Sequence, residues 1–311
     1  MLVGAKLGVF EALGQNPLTA ADAAAKLGTE RDATGKLLNA LTGLGYLRAA
    51  GTGSCSPPRP GGGLLPAARG PCATGSWSRN CWSGGGLSTS STSSAPAMPS
   101  RRTTTSPTKP RASISAACAA SPAFSAAEVA RRVPVPTRAR QILDIGGSHG
   151  YYSVVICRRH PGLRSVVLDL PQAICHAAPL LAREGMGDRV VHQAGDATDD
   201  FGTAAFDLVS IANAVDHFDG PANRDLARRA AHALRPGGYF VILDFVRPRS
   251  PNDAGQAGTL NELFFALTSA SGTWPSEELA QRQRGAGLEP RKPIRMRTSP
   301  DTVMQAAVKT R

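Results

Sequence analysis

Hydrophobic and polar residues follow two different patterns along this chain. Over residues 1–50, apolar side chains recur at the three- and four-residue spacing of amphipathic helices. The pattern predicts a first helix that ends at Gly14, a second from Thr19 to Leu27 with Asp22 in the capping-box position, and a third that starts at Asp32 or Thr34. A hairpin is predicted to begin at Gly45. Three short helices and a hairpin are typical of a winged-helix domain.

From residue 125 onward, short apolar runs alternate with helical patterns, after a short predicted helix over 126–133. This alternation predicts βα units and therefore a doubly wound, mostly parallel α/β sheet, with a crevice at the carboxyl ends of its strands. A closing antiparallel pair is expected over 293–298 and 303–308. The predicted strands of the parallel part are 142–145, 165–168, 189–193, 206–213 and 239–245.

Residues 51–124 fit neither pattern. The part from 51 to 120 holds nine prolines, runs of glycine and serine, and no Asp or Glu. Such a composition buries too little apolar area to offset the entropy of ordering, which predicts a disordered linker. Trp77, Trp82 and four cysteines are unusual in a linker, and a reading-frame error in a GC-rich gene is the alternative explanation. The four cysteines have no zinc-binding spacing, and no metal site is predicted.

The net charge of +12 is compatible with nucleic-acid binding, but its distribution argues against that role. Seven of the basic residues are scattered over 51–120 without interleaved aromatic side chains, and helix Ala33–Leu44 offers only Lys36 and Asn39 as polar readers of DNA. No apolar run approaches the roughly 20 residues of a membrane span. Because no signal-peptide pattern is found at the N-terminus, a cytoplasmic location is expected.

The candidate chemistry begins at Asp144–Gly150, which reads Asp-Ile-Gly-Gly-Ser-His-Gly between a strand and a helix. Glycines in such a turn let the backbone approach a nucleotide-like ligand. Asp169 ends the second strand about twenty residues later, where an acid can accept both hydroxyls of a ribose. Asp196 follows the third strand and can accept a hydrogen bond from an exocyclic amine. Three acids at successive strand ends favour a nucleoside ligand.

The stretches LDIGGSHG, VVLDLP, AGD and ALRPGG resemble the motifs of class I S-adenosylmethionine-dependent methyltransferases. More narrowly, the chain is similar to small-molecule O-methyltransferases with an N-terminal winged-helix dimerisation domain. The resemblance implies a seven-stranded Rossmann-like sheet over 125–311, a dimerisation domain over 1–50, a homodimer, and S-adenosylmethionine as cofactor. The cofactor-binding residues that it implies are Asp144, Gly146, Gly147, Gly150, Asp169, Leu170, Asp196, Ala197 and Asn213.

The same resemblance implies a general base after the fourth strand, and here the chain departs from the family. The family's usual histidine position is Asp216, and a histidine follows as His217. Asp244 matches the first of two acids that orient the family's histidine. The second acid is missing, because Ser271–Trp274 reads Ser-Gly-Thr-Trp. Whether Asp216, His217 or neither is the base remains open. A buried carboxylate can take the proton if its pKa is raised.

The predicted activity is methyl transfer to a hydroxyl of a small, aromatic metabolite. A catalytically impaired relative that binds cofactor or dimerises is the main alternative, and a nicotinamide-dependent oxidoreductase is a weaker one, because the order Gly-x-Gly-x-x-Gly is absent. No nucleic-acid or membrane partner is expected. The acceptor pocket is predicted to include Phe218, Leu263, Phe264, Leu267 and Trp274.

Overall fold

The structure, a computed structural model, describes residues 2–14, 16–50, 53–56, 125–247, 256–269 and 271–310. The predicted low-complexity segment 51–124 lies outside these residues, apart from 53–56. The described part contains a small N-terminal helical unit and a large α/β unit. Within the described ranges, no helix is both long and apolar enough to cross a membrane.

The N-terminal unit has four helices where three were predicted. They are α1 (Leu2–Lys6), α2 (Val9–Leu13), α3 (Ala20–Leu27) and α4 (Arg31–Gly43). The predicted first helix is interrupted at Gly8, whose φ of 73° is incompatible with a continuous helix. The predicted cap is confirmed, because Thr19 accepts a hydrogen bond from the Asp22 amide at 3.2 Å. Helix α4 begins earlier than expected because Glu30 caps it through the amides of Asp32 and Ala33.

The hairpin predicted after Gly45 is present. Strands β1 (Leu18–Thr19), β2 (Arg48–Ala49) and β3 (Ser54–Ser56) form a small antiparallel sheet in the order β1-β3-β2. Cys55 of β3 pairs with Leu18 and Ala49, and its side chain is buried in the core of the N-terminal unit. The second hairpin strand thus falls beyond residue 50, the predicted end of this domain.

The α/β unit contains the predicted doubly wound sheet. After a helix α5 (125–132), its elements are β4 (Gln141–Ile145), α6 (Tyr151–Arg159), β5 (Arg164–Asp169), α7 (Pro171–Arg183), β6 (Val190–Ala194), β7 (Phe206–Ala212), α8 (Gly220–Ala233), β8 (Leu234–Phe245), α9 (Gln256–Ser269), α10 (Ser276–Gly285), β9 (Glu289–Pro290), β10 (Ile294–Arg295) and β11 (Thr302–Val308). The sheet has eight strands, of which seven run in the order β10-β11-β8-β7-β4-β5-β6, and β9 pairs additionally with β11. Strands β4 to β8 are parallel to their neighbours, whereas β11 is antiparallel to β8 and β10.

Each face of the sheet carries its own hydrophobic core. Leu143 and Ile145 of β4 belong to the core that includes α8 and α10, while Ile142 belongs to the core that includes α6 and α7. This alternation follows from the two-residue period of a strand and gives an α/β/α sandwich. The carboxyl ends of β4, β5, β6, β7 and β8 therefore open onto the same edge, where the predicted site residues lie.

The two units are packed together through α4 and α9. At the crossing, Gly43 lies so close to Thr259 that a Cβ atom on Gly43 would stand 2.3 Å from the Thr259 Oγ1. Thr259 is fully buried. Glycine at this position therefore allows the two helix backbones to approach closely, and α9 is fixed against the N-terminal unit.

Candidate functional site

The turn after β4 is shaped by residues with left-handed backbone conformations. Gly146 and Gly150 have φ values of 64° and 70°, and Ser148 between them has 49°. Gly147 has no such angle but no space for a side chain. A Cβ there would lie 2.7 Å from the Asp144 Oδ2 and 2.8 Å from a methyl group of Val167. The glycines of the predicted turn, called the cradle below, thus allow its left-handed backbone and its close packing on Asp144 and Val167.

Asp144 lies beneath this cradle and not in the crevice. Its side chain is 2% exposed, and its carboxylate accepts hydrogen bonds from the Ser153 Oγ at 2.7 Å and the Ser210 Oγ at 3.1 Å. Burial raises the pKa of Asp144 to about 6, and the two serine hydrogen bonds oppose that rise. Asp144 thus joins β4 to α6 and β7 under the turn, and its predicted contact with the cofactor stays a prediction.

Asp169, at the end of β5, is attached to the glycine turn. Its Oδ2 accepts from the Ser148 amide at 2.8 Å, and its Oδ1 accepts from the Leu170 amide at 2.7 Å. Each carboxylate oxygen has a further lone pair available, so these bonds leave capacity for the two hydroxyls of a ribose. His192 of β6 supports the same turn through a 2.7 Å bond to the Ser148 carbonyl, a contact that the sequence did not indicate.

The loop after β6 is close-packed against β5. A Cβ on Gly195 would lie 2.6 Å from a methyl group of Leu168. Asp196 folds back onto its own loop, where its Oδ1 accepts from both the amide and the hydroxyl of Thr198 at 2.8 Å. The half-buried Ala197 is held through its carbonyl by Arg229 at 2.9 Å. These contacts give the loop at the β6 end a defined shape next to Asp169.

Asn213 follows β7 with a φ of 52°, and its amide donates to the Leu243 carbonyl at 2.9 Å. Its side chain contacts the Tyr152 hydroxyl, which also bonds the Ser125 Oγ at 2.8 Å. Burial raises the pKa of Tyr152. Tyr152 and Ser125 were missed by sequence reasoning, although Tyr152 is the second residue of the helix that follows the glycine turn.

A 3-10 turn, Val215–His217, follows β7 and is called the base turn below. Asp216, at its centre, is fully buried, and neither of its carboxyl oxygens receives a hydrogen bond from a donor group among the described residues. Asp244, also fully buried, accepts from the amides of Val215 and Phe245, both at 2.9 Å. The two carboxyls are neighbours, so Asp216 can donate to Asp244 when one proton is present between them.

Burial dominates the proton affinity of this pair. It raises the pKa of Asp244 to about 7, although the backbone amides work in the opposite direction. Burial and the nearby charge of Asp244 raise the pKa of Asp216 well above its usual value. Because amide donors stabilise negative charge on Asp244 alone, Asp216 is the residue that carries the shared proton.

Two arginines partly balance these acids. The guanidinium groups of Arg247 and Arg282 lower the pKa of Asp216 against the effect of burial. Arg247 pairs with Glu262 at 3.1 Å. Arg282 pairs with Glu278 at 3.0 Å and lies 3.8 Å from the centre of the Trp274 ring. The two arginines therefore compensate the charge of the carboxyl pair only in part, because each of them also pairs with another acid.

His217 lies on the other side of the base turn, where its side chain is exposed. Its Nδ1 bonds the Ser269 Oγ at 2.6 Å, and its ring meets Phe265 edge-on at 5.0 Å between centroids. Partial burial lowers the pKa of His217. Of the two predicted base residues, Asp216 thus contacts Asp244, and His217 contacts α9.

The predicted acceptor-pocket residues do not form one lining. Phe218 and Trp274 are half-buried beside the base turn, and the Trp274 Nε1 donates to the Val215 carbonyl at 3.3 Å. Leu263 is half-buried on α9, whereas Phe264 and Leu267 are 52% and 70% exposed. Two of the five residues therefore line the turn, and two lie on the outer face of α9.

Comparison with known proteins gives a consistent family assignment. Residues 106–282 match the model of the O-methyltransferase domain, and residues 1–59 match that of the O-methyltransferase dimerisation domain. A 3-hydroxy-5-methyl-1-naphthoate 3-O-methyltransferase of Streptomyces sahachiroi is 28% identical over 135 residues, which are 43% of this chain and 38% of that enzyme. The chain spans less than half of the length of the curated relatives that it matches.

Solved structures share the fold over nearly the whole chain. An O-methyltransferase family 2 protein from Planctomyces limnophilus, in complex with apigenin, has a TM-score of 0.69 at 20% identity and covers 98% of this chain and 90% of its own. Human N-acetylserotonin methyltransferase in complex with SAM has a TM-score of 0.58 at 17% identity, covering 99% and 92%. At these identities the similarity establishes the fold.

Proposed function

Because the chain belongs to the O-methyltransferase family, we propose that it transfers a methyl group from S-adenosylmethionine to a hydroxyl of a small aromatic metabolite. One observation carries the proposal. The glycine turn and the base turn are adjacent, since a Cβ on Gly146 would stand 3.5 Å from the Cβ of Ala214, the residue that precedes the base turn. A cofactor in the cradle and an acceptor beside Asp216 would therefore be neighbours, as direct transfer requires.

The described residues fit this cofactor. The turn at Gly147 has no room for a side chain, because Asp144 and Val167 pack against it, and its backbone would receive the methionine end of the ligand. The Asp169 carboxylate, fixed by two amides at the end of β5, would take the ribose hydroxyls. The loop around Asp196 and Ala197 would face the adenine. When bound, S-adenosylmethionine supplies an activated methyl group on a sulfonium sulfur.

The chain's own contribution to the reaction is to accept the proton of the acceptor hydroxyl. As oxygen gains the methyl group, the hydroxyl proton passes to Asp216, and the proton that Asp216 already carries passes to Asp244. Both carboxyls are then neutral, and the pair returns to its singly charged state by releasing one proton to water. Because Asp216 is fully buried, the acceptor reaches it only after the side chains that cover it move aside.

The dimerisation-domain match over residues 1–59 supports a homodimer formed through the N-terminal unit. For the acceptor, a small aromatic compound is favoured by the naphthoate named for the Streptomyces relative and by Phe218 and Trp274 beside the base turn. Both supports concern the class of acceptor and not its identity.

Calorimetry with S-adenosylmethionine, S-adenosylhomocysteine and NAD tests the proposal first. We expect both adenosyl ligands to bind and NAD not to bind. Asp169→Asn should weaken binding, whereas the exposed Asp200→Asn is a control that should not. A panel of phenols then tests turnover, with mass detection of one added CH₂ group. Binding without turnover on any phenol would favour the impaired relative, and absence of adenosyl binding would exclude the proposed activity.

A further inference from the structure

The base turn is held from outside the sheet by the last residue of α9 and by residues between α9 and α10. Three side chains of this region form hydrogen bonds with the base turn or with Phe218, which follows it. Within residues 215–218, the buried Asp216 is the residue that receives none of these three bonds. The region is named the clamp and consists of Ser269, Ser271 and Trp274. Its bonds join Ser269 Oγ to His217 Nδ1 (2.6 Å), Ser271 Oγ to the Phe218 carbonyl (2.8 Å) and Trp274 Nε1 to the Val215 carbonyl (3.3 Å).

The clamp is attached in turn to the N-terminal unit. Lys36 of α4 donates to the Ser271 carbonyl at 3.4 Å, and a Cβ on Gly272 would lie 3.6 Å from the Lys36 Nζ. The side chain of Lys36 is 13% exposed and pairs with Asp32 one turn earlier at 2.8 Å. This pair keeps the ammonium group over the clamp. Lys36 is thus placed by its own helix to bond a residue 235 positions away in the chain.

A second connection runs through Glu262 of α9. Its pKa is raised by burial, and the charges of Arg247 and Lys36 oppose that rise, so one buried carboxylate interacts with cations from both units. The backbone of Arg247 also donates to the Trp274 carbonyl at 3.1 Å. Together with the close Gly43–Thr259 contact, these interactions fix α9 and the clamp relative to α4.

We propose that the N-terminal unit has a second role besides dimerisation: within its own protomer it positions the base turn, through Lys36 acting on the clamp and Ser271 acting on Phe218. Lys36 and Ser271 are positioning residues, because neither contacts the carboxyl pair. The expected effect on catalysis rests on the proposed function, which is methyl transfer with Asp216 as the proton acceptor. The mechanical part, that Lys36 and Ser271 hold the turn, does not depend on any activity.

Hydrogen–deuterium exchange of the full-length chain tests the mechanical part. In Lys36→Met and Ser271→Ala we expect several-fold faster exchange in the peptide that contains the base turn, with unchanged exchange in α6 on the opposite face of the sheet. Lys26→Met is the matched control, because Lys26 bonds Ala12 at 3.3 Å inside the N-terminal unit. Exchange at the base turn that equals wild type in both variants would overturn the proposal.

Steady-state kinetics tests the consequence. Lys36→Met should lower kcat about 10- to 100-fold, the scale of a misplaced reacting group, with little change in the KM for S-adenosylmethionine. Lys36→Arg, which keeps a donor over the clamp, should restore most of the loss, whereas a general loss of stability would not be rescued in this way. Faster exchange with unchanged kcat would overturn the catalytic consequence. A wild-type chain that methylates no acceptor would count against the proposed function alone, because the exchange result stands independently.

Discussion

Asp216 and Asp244 are buried side by side, but backbone amides stabilise the charge of Asp244 alone. Val215 and Phe245 each donate an amide to Asp244 at 2.9 Å, and no donor group among the described residues reaches either oxygen of Asp216. The pair therefore loses its first proton from Asp244 near neutral pH, and Asp216 retains the second. This asymmetry makes the two residues unequal in function and leads to the first two predictions.

Removal of the Asp216 carboxyl should impair catalysis more than cofactor binding. We expect Asp216→Asn to lower kcat about 100-fold, the lower end of what a general base contributes, because the amide cannot relay the proton. Asp216→His should retain or raise activity, since it places an imidazole where the family usually has one. Both effects are measured as the rate of turnover of an acceptor that the wild type methylates. Asp225→Asn, a substitution at an exposed position, is the control. Complete loss in Asp216→His would mean that the carboxyl acts in its own right.

Stability should decrease with pH because of the same pair. The pKa of Asp244 is raised from 3.8 to about 7 in the folded chain. Between these values the unfolded chain has released the proton that the folded chain retains, so the free energy of unfolding falls as pH rises through this window, and Asp216, whose pKa burial raises well above its usual value, adds to the decline. Asp244→Asn should make the decline shallower without abolishing it, because Asp216 and Asp144, whose pKa values burial also raises, keep part of the decline in both proteins.

Urea denaturation across that window measures the difference between the two proteins. The exposed Asp225→Asn is again the control and should follow the wild type. A variant Asp244→Asn whose stability declines with pH as steeply as that of the wild type would show that Asp244 is ionised in the folded chain at low pH.

The contact between the two units should depend on the absence of a side chain at Gly43. Gly43→Ala would place a Cβ 2.3 Å from the Thr259 Oγ1, and we expect a loss of about 1–3 kcal/mol in the free energy of unfolding. Gly35→Ala, in the same helix, is the matched control, because its Cβ would stand 3.4 Å from the Ala20 Cβ and alanine favours helix. The double variant with Thr259→Ala should recover part of the loss, and equal melting of both alanine variants would contradict the close packing.

The cradle should tolerate no side chain at Gly147. In Gly147→Ala a Cβ would press on Asp144 and Val167 at under 3 Å, which displaces the turn. We expect the displaced turn to lower the affinity for S-adenosylhomocysteine about 10-fold or more, which corresponds to about 1.4 kcal/mol of binding free energy. Gly162→Ala is the control, since the nearest atom to its Cβ would be an arginine nitrogen at 3.6 Å. Unchanged affinity in Gly147→Ala, measured by calorimetry, would argue against a ligand in this cradle.

The pattern of apolar and turn-forming residues predicted those features of the fold that depend on residues close together in the sequence. The strand ends, the glycine turn and the position of Asp169 follow from periodicity and from turn chemistry over a few residues, and the structure has them where they were expected. The predicted single helix before Gly14 was wrong, because one glycine at position 8 outweighed the apolar spacing. The sequence also did not predict that Asp144 is buried. The alternation of side chains along a strand does not show whether serines on other elements, here Ser153 and Ser210, face the carboxylate.

The sequence by itself determined the α/β sheet and two acids at one edge of it, Asp216 after β7 and Asp244 near the end of β8. Only the tertiary structure decided that Asp216 contacts Asp244 and that His217 contacts Ser269. These partners lie 28 and 52 positions away in the chain, and the orientation of the turn at 215–217 determines which side chain faces which partner. The same holds for Lys36 and Ser271, which meet across 235 positions. Such contacts arise when helices pack, and no periodic pattern in one segment carries information about the side chains of another.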